Sequence, residues 1–394
     1  YGMATFEGPM LSLKKVNAIS HFTDWTIAHV HVGALGWNGF LTFGILYWLI
    51  PKMFRVELYS KRLANVHFWI GTLGIVLYAV PMYWAGVMQS LMWKDFTPDG
   101  QLQWKFLETV TKMMPFYAAR ALGGTLYLIG AIVMVYNLVK TIKVGNFLAD
   151  EPAEAPALAR EYKAHSGDHW HRWIERKPVQ MMVLSLVVVA IGGIIEFVPT
   201  FLVKSNIPTI ASVKPYTPLE LQGRDIYIRE GCYTCHSQMV RPFRSETARY
   251  GEYSKAGEFV YDHPFQWGSK RTGPDLAREG VLNPSTGWHF LHLWDPRKVA
   301  EQSIMPRYVW LFNHEIDVES TPAKIRAMQT LGVPYEAGYD TKSIADLKEQ
   351  AAKIAEQIKQ DDQLKKLSMV EDNLDLKTIE NKEVVALIAY LQRL

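Results

Sequence analysis

The sequence predicts a mainly α-helical protein in which four membrane-spanning helices precede a soluble helical domain. Long apolar runs fill much of the first half of the 394 residues, whereas residues 205 to 394 mix charged and apolar side chains in ordinary proportions. The C-terminal KEVVALIAYLQRL has the apolar spacing of an amphipathic helix. The net charge of +3 indicates no surface for nucleic acid. A membrane part followed by a globular part is therefore the simplest organisation.

Four segments are long and apolar enough to cross a bilayer, since a crossing takes about 20 residues at ~1.5 Å rise each. They lie near residues 25–50, 64–92, 115–139 and 179–203. Loops rich in Lys and Arg stay in the cytoplasm, and such residues concentrate between the first and second spans and between the third and fourth. We therefore place the 93–114 connection outside the cytoplasm, together with everything after Val203.

These spans divide the chain into four predicted parts. They are membrane helices in 1–143, a cytoplasmic linker in 144–178, an anchor helix in 179–203 and an outer domain in 204–394. The linker stretch DEPAEAPALAREYKAHSGDH is rich in Ala, Pro and charge, which is typical of a domain boundary. The chain opens with YGMATFEGPM, which has neither an initiator Met nor a signal-peptide pattern. We therefore expect the sequence to begin inside a longer polypeptide.

Residues 340–378 form a highly charged stretch with helical apolar spacing inside the outer domain. We expect a solvated surface insertion here and assign it no chemistry.

Two histidines, His29 and His31, lie inside the first span, in TIAHVHVGALGWNGF. Helical positions i and i+2 are about 200° apart, so the two rings point to nearly opposite faces and cannot easily share one metal ion. In a soluble helix, hydrogen bonds to neighbouring helices would be the favoured interpretation. Ionisable residues inside a membrane are costly and usually functional. We therefore predict that each histidine ligates a separate cofactor in the outer half of the membrane.

The soluble domain contains GCYTCH, a C-x-x-C-H motif built from Cys232, Cys235 and His236. Two thiols at this spacing attach a haem covalently, and the following histidine becomes an axial ligand of its iron. A thioredoxin-like redox pair also uses C-x-x-C, but the histidine and the lack of a βαβ pattern argue against it. Such haem attachment occurs outside the cytoplasm, in agreement with the predicted topology.

The second axial ligand of this haem must come from elsewhere in the chain. We favour Met305 in SIMPRYVW, because Pro306 prevents a regular helix and an extended loop can present the thioether sulfur. Met239 is excluded because we expect it to share the helical segment of His236. Met328 and Met369 lie in helix-like sequence and are expected to pack. The remaining alternatives are His263, His289 and His292.

The loop in SKRTGPDL is a further element of the predicted haem c site. Its Gly273 and Pro274 are expected to form a tight turn that braces His236. The C-terminal helix is expected to pack against the helix of the C-x-x-C-H motif.

These stretches resemble a known family. HFTDWTIAHVHVGALGWNGF and YAARALGGTLYLIGA resemble the last membrane helices of the catalytic subunit of cbb3-type cytochrome c oxidases, in the haem-copper oxidase superfamily. From about residue 166 onward, PYTPLELQGRDIYIREGCYTCHSQMVRPFRSE and QWGSKRTGPDL are similar to the membrane-anchored monohaem cytochrome c subunit. The resemblance implies the end of an oxidase helical bundle, one anchor helix and a class I-like cytochrome c domain.

The resemblance also implies residue roles. His29 matches the proximal ligand of the high-spin haem b, where oxygen binds, and His31 matches one ligand of the low-spin haem b. The haem c residues are Cys232, Cys235, His236 and Met305. Electrons would pass from a donor cytochrome to haem c, to the low-spin haem b and then to the oxygen-binding haem. The implied reaction reduces oxygen to water with proton translocation in a bacterial inner membrane.

Two departures from the family pattern matter. Catalytic and cytochrome subunits are separate chains in many members, whereas here they are continuous. The family's copper-ligating histidines, its active-site tyrosine and the second ligand of the low-spin haem b lie in earlier helices. We therefore expect preceding helices, other oxidase subunits, and among these another cytochrome c subunit, as partners.

Secondary site candidates are charged residues near the predicted haems. Arg120, Arg241 and Arg244 are predicted to pair with haem propionates, with snorkelling or ordinary exposure as the alternatives. Glu7 and Glu196 are weaker candidates for a proton or cation site.

Two rival functions stay open at this point. A nitric oxide reductase falls in the same superfamily and also works with a membrane-anchored cytochrome c. A non-catalytic electron carrier anchored by four helices would need no haem at His29.

Overall fold

A computed structural model describes residues 1–149, 170–203, 208–371 and 374–394. Helices dominate these ranges, and none of the described residues lies in a β-strand. The chain forms two compact units. One consists of Tyr1–Phe147, Lys214–Ser254 and Tyr261–Leu394, and the other of Leu148–Val213 and Lys255–Val260. Most of the predicted linker at 144–178 lies outside the described residues, and the predicted domain boundaries remain predictions.

The membrane part of the first unit begins with two short helices, α1 (Gly2–Ser12) and α2 (Lys14–Ser20). The next helix, α3 (Asp24–His31), continues without a break as a π-helix over Val32–Gly39 and then as α4 (Phe40–Met53). Two long helices follow, α5 (Lys61–Trp93) and α6 (Phe106–Val144). A π-helical stretch inside a membrane helix is uncommon and is frequently found at functional sites. Here it begins directly after His31.

The four predicted spans are confirmed. The described residues include four helices with the length and hydropathy of a membrane crossing, at Asp24–Met53, Lys61–Trp93, Phe106–Val144 and Pro178–Thr200. The third begins well before the expected position, so part of the predicted 93–114 loop is helical. Its start is explained by Glu108, whose carboxylate accepts the Lys105 backbone N–H at 2.8 Å.

Glycines set how closely the membrane helices approach. A Cβ at Gly86 of α5 would lie 2.2 Å from the Trp25 backbone nitrogen, which fixes the crossing with α3. Between α5 and α6, a Cβ at Gly123 would lie 2.6 Å from the Gly74 carbonyl oxygen. Small residues allow such close packing in a membrane. The backbone of α3 is thereby held against α5 near the two histidines.

The second unit contains α7 (Trp170–Glu175) and α8 (Pro178–Leu202). Pro178 occupies the start of α8, where its missing N–H costs nothing. None of the residues in the most apolar window of α8 is buried.

The soluble helices of the first unit pack around a main apolar core. They are α9 (Pro218–Arg229), α10 (Arg244–Tyr250), α11 (Glu279–Leu282), α12 (Thr286–Trp294), α13 (Thr321–Thr330), α14 (Ser343–Gln360), α15 (Asp362–Val370) and α16 (Glu383–Arg393). Smaller apolar clusters lie at α10 and α13. Helices α9 and α16 cross closely, because a Cβ at Gly223 would lie 1.9 Å from the Ala386 carbonyl oxygen. The predicted packing of the C-terminal helix against the haem c segment is confirmed, since α9 leads directly into Cys232.

The charged stretch near 340–378 differs from its prediction. Leu347, Ala351 and Ile358 of α14 are at most 2% exposed and belong to the same core cluster as α9 and α16. The expectation of a solvated insertion is therefore wrong for this helix, because its apolar spacing forms a buried face. Its charged residues occupy the opposite face, where Lys353 and Glu349 pair in solvent.

Candidate functional site: three anchored histidines

Helix α3 presents the two membrane histidines. Its first turn is stabilised by Thr23, whose hydroxyl accepts the Trp25 backbone N–H at 3.2 Å. His29 and His31 lie in its last turn and have different neighbours, one on α1 and the other on α5. This agrees with the expectation that their rings point away from each other.

His29 is held by a buried carboxylate. Its Nδ1 lies 3.0 Å from Oε2 of Glu7, a residue that is only 7% exposed. Glu7 also accepts hydrogen bonds from Nε1 of Trp25 at 2.7 Å and from the hydroxyl of Tyr83 at 2.5 Å. Two groups from α3 and one from α5 therefore fix the carboxylate. This contact favours the His29 tautomer that carries the proton on Nδ1 and leaves the Nε2 lone pair for a ligand.

His31 is oriented by the backbone and by an aromatic ring. Its Nδ1 lies 2.8 Å from the carbonyl oxygen of Ile27, one turn earlier in the same helix. The ring stacks on Tyr78 of α5 with centroids 4.5 Å apart. A carbonyl oxygen can only accept, so Nδ1 is the protonated nitrogen and Nε2 is again the available donor to a metal.

The C-x-x-C-H motif lies in an open turn of the soluble domain. Cys232 is half-buried, Cys235 is exposed, and neither thiol takes part in a disulfide. Gly231 adopts the left-handed φ of 71° that starts the turn, and Cys232–Thr234 form one 3₁₀ turn. Burial raises the pKa of the Cys232 thiol to about 12. The two thiols and the histidine thus belong to one short turn, as covalent haem attachment requires.

The loop at Gly273 and Pro274 braces His236, as predicted. The Nδ1 atom of His236 lies 2.9 Å from the Pro274 carbonyl oxygen, which again leaves Nε2 for a metal. A Cβ at Gly273 would lie 2.2 Å from the His236 ring, so only glycine permits this approach. The backbone nitrogens of Thr272 and Gly273 donate to the Cys235 carbonyl at 2.9 Å. Burial lowers the pKa of His236, which favours the neutral, ligating ring.

The sequence after His236 does not form the helix that was expected to include Met239. Residues 236–241 lie outside any helix, and the Met239 backbone N–H donates to Asp275. The expectation that Met239 shares a helical segment with His236 is therefore wrong.

The candidates for the second axial ligand have distinct surroundings. Met305 lies in a segment without helical structure and packs on the same apolar core as Cys232. His292 is half-buried, stacks on Trp288, and has its pKa lowered to about 4 by burial first and by the neighbouring His236 second. Both residues therefore belong to the surroundings of the haem c motif, and the choice of Met305 remains a prediction.

Two families match this chain. The family described as "Cytochrome C oxidase, mono-heme subunit/FixO" matches residues 171–394, which is more than half of the chain. The chain belongs to this family. A second family, "Cytochrome C and Quinol oxidase polypeptide I", matches residues 1–126. This mono-haem subunit therefore carries a segment of an oxidase catalytic subunit ahead of its own anchor helix, as the resemblance implied.

Similar curated proteins match the first part. A "Cytochrome c oxidase subunit 1 homolog" of Agrobacterium tumefaciens is 57% identical over 143 residues, which are 36% of this chain and 26% of that protein. The "Cbb3-type cytochrome c oxidase subunit CcoN1" of Stutzerimonas stutzeri is 46% identical over 161 residues, 41% of this chain and 33% of that protein. A nitric oxide reductase of Stutzerimonas stutzeri is only 24% identical over 156 residues, 39% and 31% of the two chains. The chain thus spans between a quarter and a third of these relatives.

The three predicted arginines of this mono-haem oxidase chain contact protein groups. Arg120 lies over the Tyr117 ring, 5.0 Å from its centroid. Arg241 forms an ion pair with Glu246 at 2.6 Å, and Arg244 lies 4.4 Å from the centroid of Phe96. Arg241 also reaches the Asn17 carbonyl at 3.3 Å. Arg241 and Arg244 therefore join the soluble domain to the membrane part, and the pairing of all three arginines with propionates remains a prediction.

Sequence reasoning missed part of the site. Glu7 was only a weak candidate, although it contacts His29 directly. Asp24, Lys270 and Arg271 received no role, yet all three are nearly inaccessible to solvent. In the sequence, Lys270 and Arg271 are indicated only by their position just before the turn that is predicted to brace His236.

Proposed function

We propose that this chain is part of a cbb3-type terminal oxidase that reduces oxygen to water and translocates protons. The observation that carries the proposal is the common state of His29, His31 and His236. In each, Nδ1 is tied to an oxygen acceptor at 2.8 to 3.0 Å, so that Nε2 is left for iron. Iron-ligating histidines in proteins are held in this manner by their other ring nitrogen.

The residues suit the expected groups: haem c at Cys232, Cys235, His236 and Met305, a low-spin haem b at His31 and a high-spin haem b at His29. When bound, these haems supply one-electron transfer and oxygen binding. The chain orients them: Glu7 fixes the His29 ring, Ile27 fixes the His31 ring, and Pro274 fixes the His236 ring. Because His29 and His31 belong to one short helix, α3 would hold the groups that they bind at a constant separation.

The complete reaction requires partners. Copper ligands and the second ligand of the low-spin haem b are expected from preceding helices of the catalytic subunit. A donor cytochrome, other oxidase subunits and the lipid bilayer complete the assembly, with the cytochrome domain on the periplasmic side.

The test replaces membrane histidines one at a time in membranes that contain the whole oxidase. His29→Ala is expected to abolish oxygen consumption and remove the high-spin b signal from reduced-minus-oxidised spectra, while haem c remains. His31→Ala is expected to remove the low-spin b signal. His67→Ala is the control, because His67 is a buried histidine of α5 that contacts the Tyr47 hydroxyl at 3.1 Å and has no proposed haem. An unchanged b-type spectrum in His29→Ala would leave only an electron-carrier function.

The nitric oxide reductase alternative is supported by one distant relative. The rates of oxygen reduction and nitric oxide reduction, measured in the same membranes with the same electron donor, distinguish the two functions. We expect oxygen to be the faster substrate, since the oxidase relative from the same organism shares nearly twice the identity.

A further inference from the structure

The soluble domain contacts the membrane part through a buried ion pair. Nζ of Lys270 lies 2.6 Å from Oδ1 of Asp24, and their side chains are 8% and 0% exposed. The other Asp24 oxygen, Oδ2, accepts hydrogen bonds from Gln89 at 2.6 Å and Tyr117 at 2.9 Å. Asp24 thus has partners from α5, α6 and the soluble domain. A buried ion pair whose second carboxylate oxygen is hydrogen-bonded favours one register, although its net contribution to stability is small.

The residue two positions earlier adds a second contact. Phe22 is completely buried and adopts a φ of 67°, which is uncommon for a side chain of this size. Its carbonyl accepts the Arg271 backbone N–H at 2.9 Å. Its ring lies 4.2 Å from the Arg271 guanidinium and 5.2 Å from that of Arg241. Because such a backbone conformation persists only where its surroundings hold it, the contact is closely fitted.

Arg271 is itself fixed inside the soluble domain. Its guanidinium donates to Ser237 at 2.6 Å and pairs with Asp275 and Glu246 at 3.0 Å. Ser237 directly follows His236, so the contact is tied to the haem c motif through rigid groups. We name Phe22, Asp24, Lys270 and Arg271 the docking contact.

The docking contact lies between two sets of proposed haem ligands. On the soluble side, Lys270 and Arg271 directly precede the loop whose Gly273 and Pro274 brace His236. On the membrane side, Asp24 begins α3, whose last turn carries His29 and His31. Few covalent or hydrogen-bonded links therefore separate the haem c ligand from the helix of the two b-type ligands.

We propose that Asp24 and Lys270 are positioning residues that hold haem c at a fixed separation from the b-type haems for electron transfer. This inference rests on the proposed function, because it presumes haems at His236, His31 and His29. Electron transfer rates fall steeply with separation, so a soluble domain that docks in one place transfers faster than one that moves on its anchor. The covalent anchor keeps the domain nearby, and the ion pair selects its orientation.

The test removes one charge at a time from the whole oxidase. Lys270→Met and Asp24→Asn each leave a buried partner unpaired, which destabilises the docked state strongly. We expect the rate of electron transfer from rapidly reduced haem c to haem b to fall about tenfold or more in each, with unchanged haem spectra and haem c potential. Combining Lys270→Met with Asp24→Asn is expected to slow electron transfer by less than the two single effects together, because neither charge remains unpaired. Arg229→Met is the control, since Arg229 pairs with Glu383 inside the soluble domain.

A second measurement does not depend on electron transfer. Hydrogen exchange at the Arg271 amide, which donates to Phe22, is expected to accelerate in Lys270→Met and not in Arg229→Met. A wild-type transfer rate in Lys270→Met would overturn the proposal, and so would an equal loss in the Arg229 control. A slower transfer explained by a changed haem c potential would also overturn it. Absence of b-type haem from the unmodified oxidase would instead refute the proposed function.

Discussion

Glu7 shows at the scale of a single residue how the surroundings select one nitrogen of a histidine. We expect Glu7→Gln to reduce oxygen consumption about tenfold, because groups that orient metal-bound histidines typically contribute 10- to 100-fold to affinity or activity. The high-spin haem spectrum should shift, since a neutral amide polarises the His29 ring less. Glu57→Gln provides the control, as the Glu57 side chain is 90% exposed. Equal activities of the two variants would exclude an orienting function for Glu7.

Met305 allows the second axial ligand of haem c to be tested. Met305→Leu keeps the apolar volume and removes the sulfur, so we expect a high-spin haem c with a lower reduction potential. Met239→Leu tests the other methionine near the motif: loss of the low-spin spectrum in that variant, with Met305→Leu unaffected, would make Met239 the ligand. His292→Asn separates the alternatives, because loss of the low-spin spectrum in that variant, with Met305→Leu unaffected, would make His292 the ligand.

At the scale of an element, the buried histidine His289 makes the stability of the domain that contains helix α12 dependent on pH. Burial lowers the pKa of His289 to about 4, below the ordinary value near 6.5, and its Nε2 has no hydrogen-bond partner among the described residues. The unfolded chain binds this proton more readily, so the stabilising contribution is complete above pH 6.5 and is lost as the pH falls towards 4. The loss is on the order of 3 kcal/mol.

His289→Gln should therefore flatten the pH dependence of unfolding between pH 6.5 and 4. Urea unfolding of the purified oxidase, followed by haem c absorbance, measures the effect. His314→Gln is the matched control, because that ring is 59% exposed. If both variants keep the wild-type slope, another group is responsible for it.

The packing of α14 makes a second prediction at this scale. Leu347→Ala should lower the unfolding free energy of the soluble domain by about 2 to 5 kcal/mol, because Leu347 is 1% exposed within the main core. Lys348→Ala, one residue along and exposed, should change it by less than about 0.5 kcal/mol. Similar urea midpoints for the two variants would indicate that α14 is a surface insertion.

The topology of the whole molecule can be tested with single cysteines. Lys353→Cys lies on the soluble domain, and Lys61→Cys lies at the first residue of α5, next to the loop between the first two spans; their side chains are 70% and 82% exposed. The positive-inside rule predicts that a membrane-impermeant maleimide labels only the former in intact cells. Labelling of Lys61→Cys without permeabilisation would reverse the orientation.

Residue order alone determined the main architecture and indicated the candidate site residues. Apolar length specified the four spans, since a bilayer demands a fixed number of residues, and C-x-x-C-H together with two histidines one residue apart indicated where haem would bind. These signals are local, because each depends only on spacing along one helix or turn.

Only the tertiary structure decided which groups surround these residues. Glu7 meets His29 from 22 positions away, and Lys270 meets Asp24 from 246 positions away, so no periodicity connects the partners. The burial of α14 was also invisible, because an amphipathic pattern does not state whether its apolar face has a partner. Contacts between distant elements depend on how the helices pack, and that packing orients the histidines and docks the soluble domain.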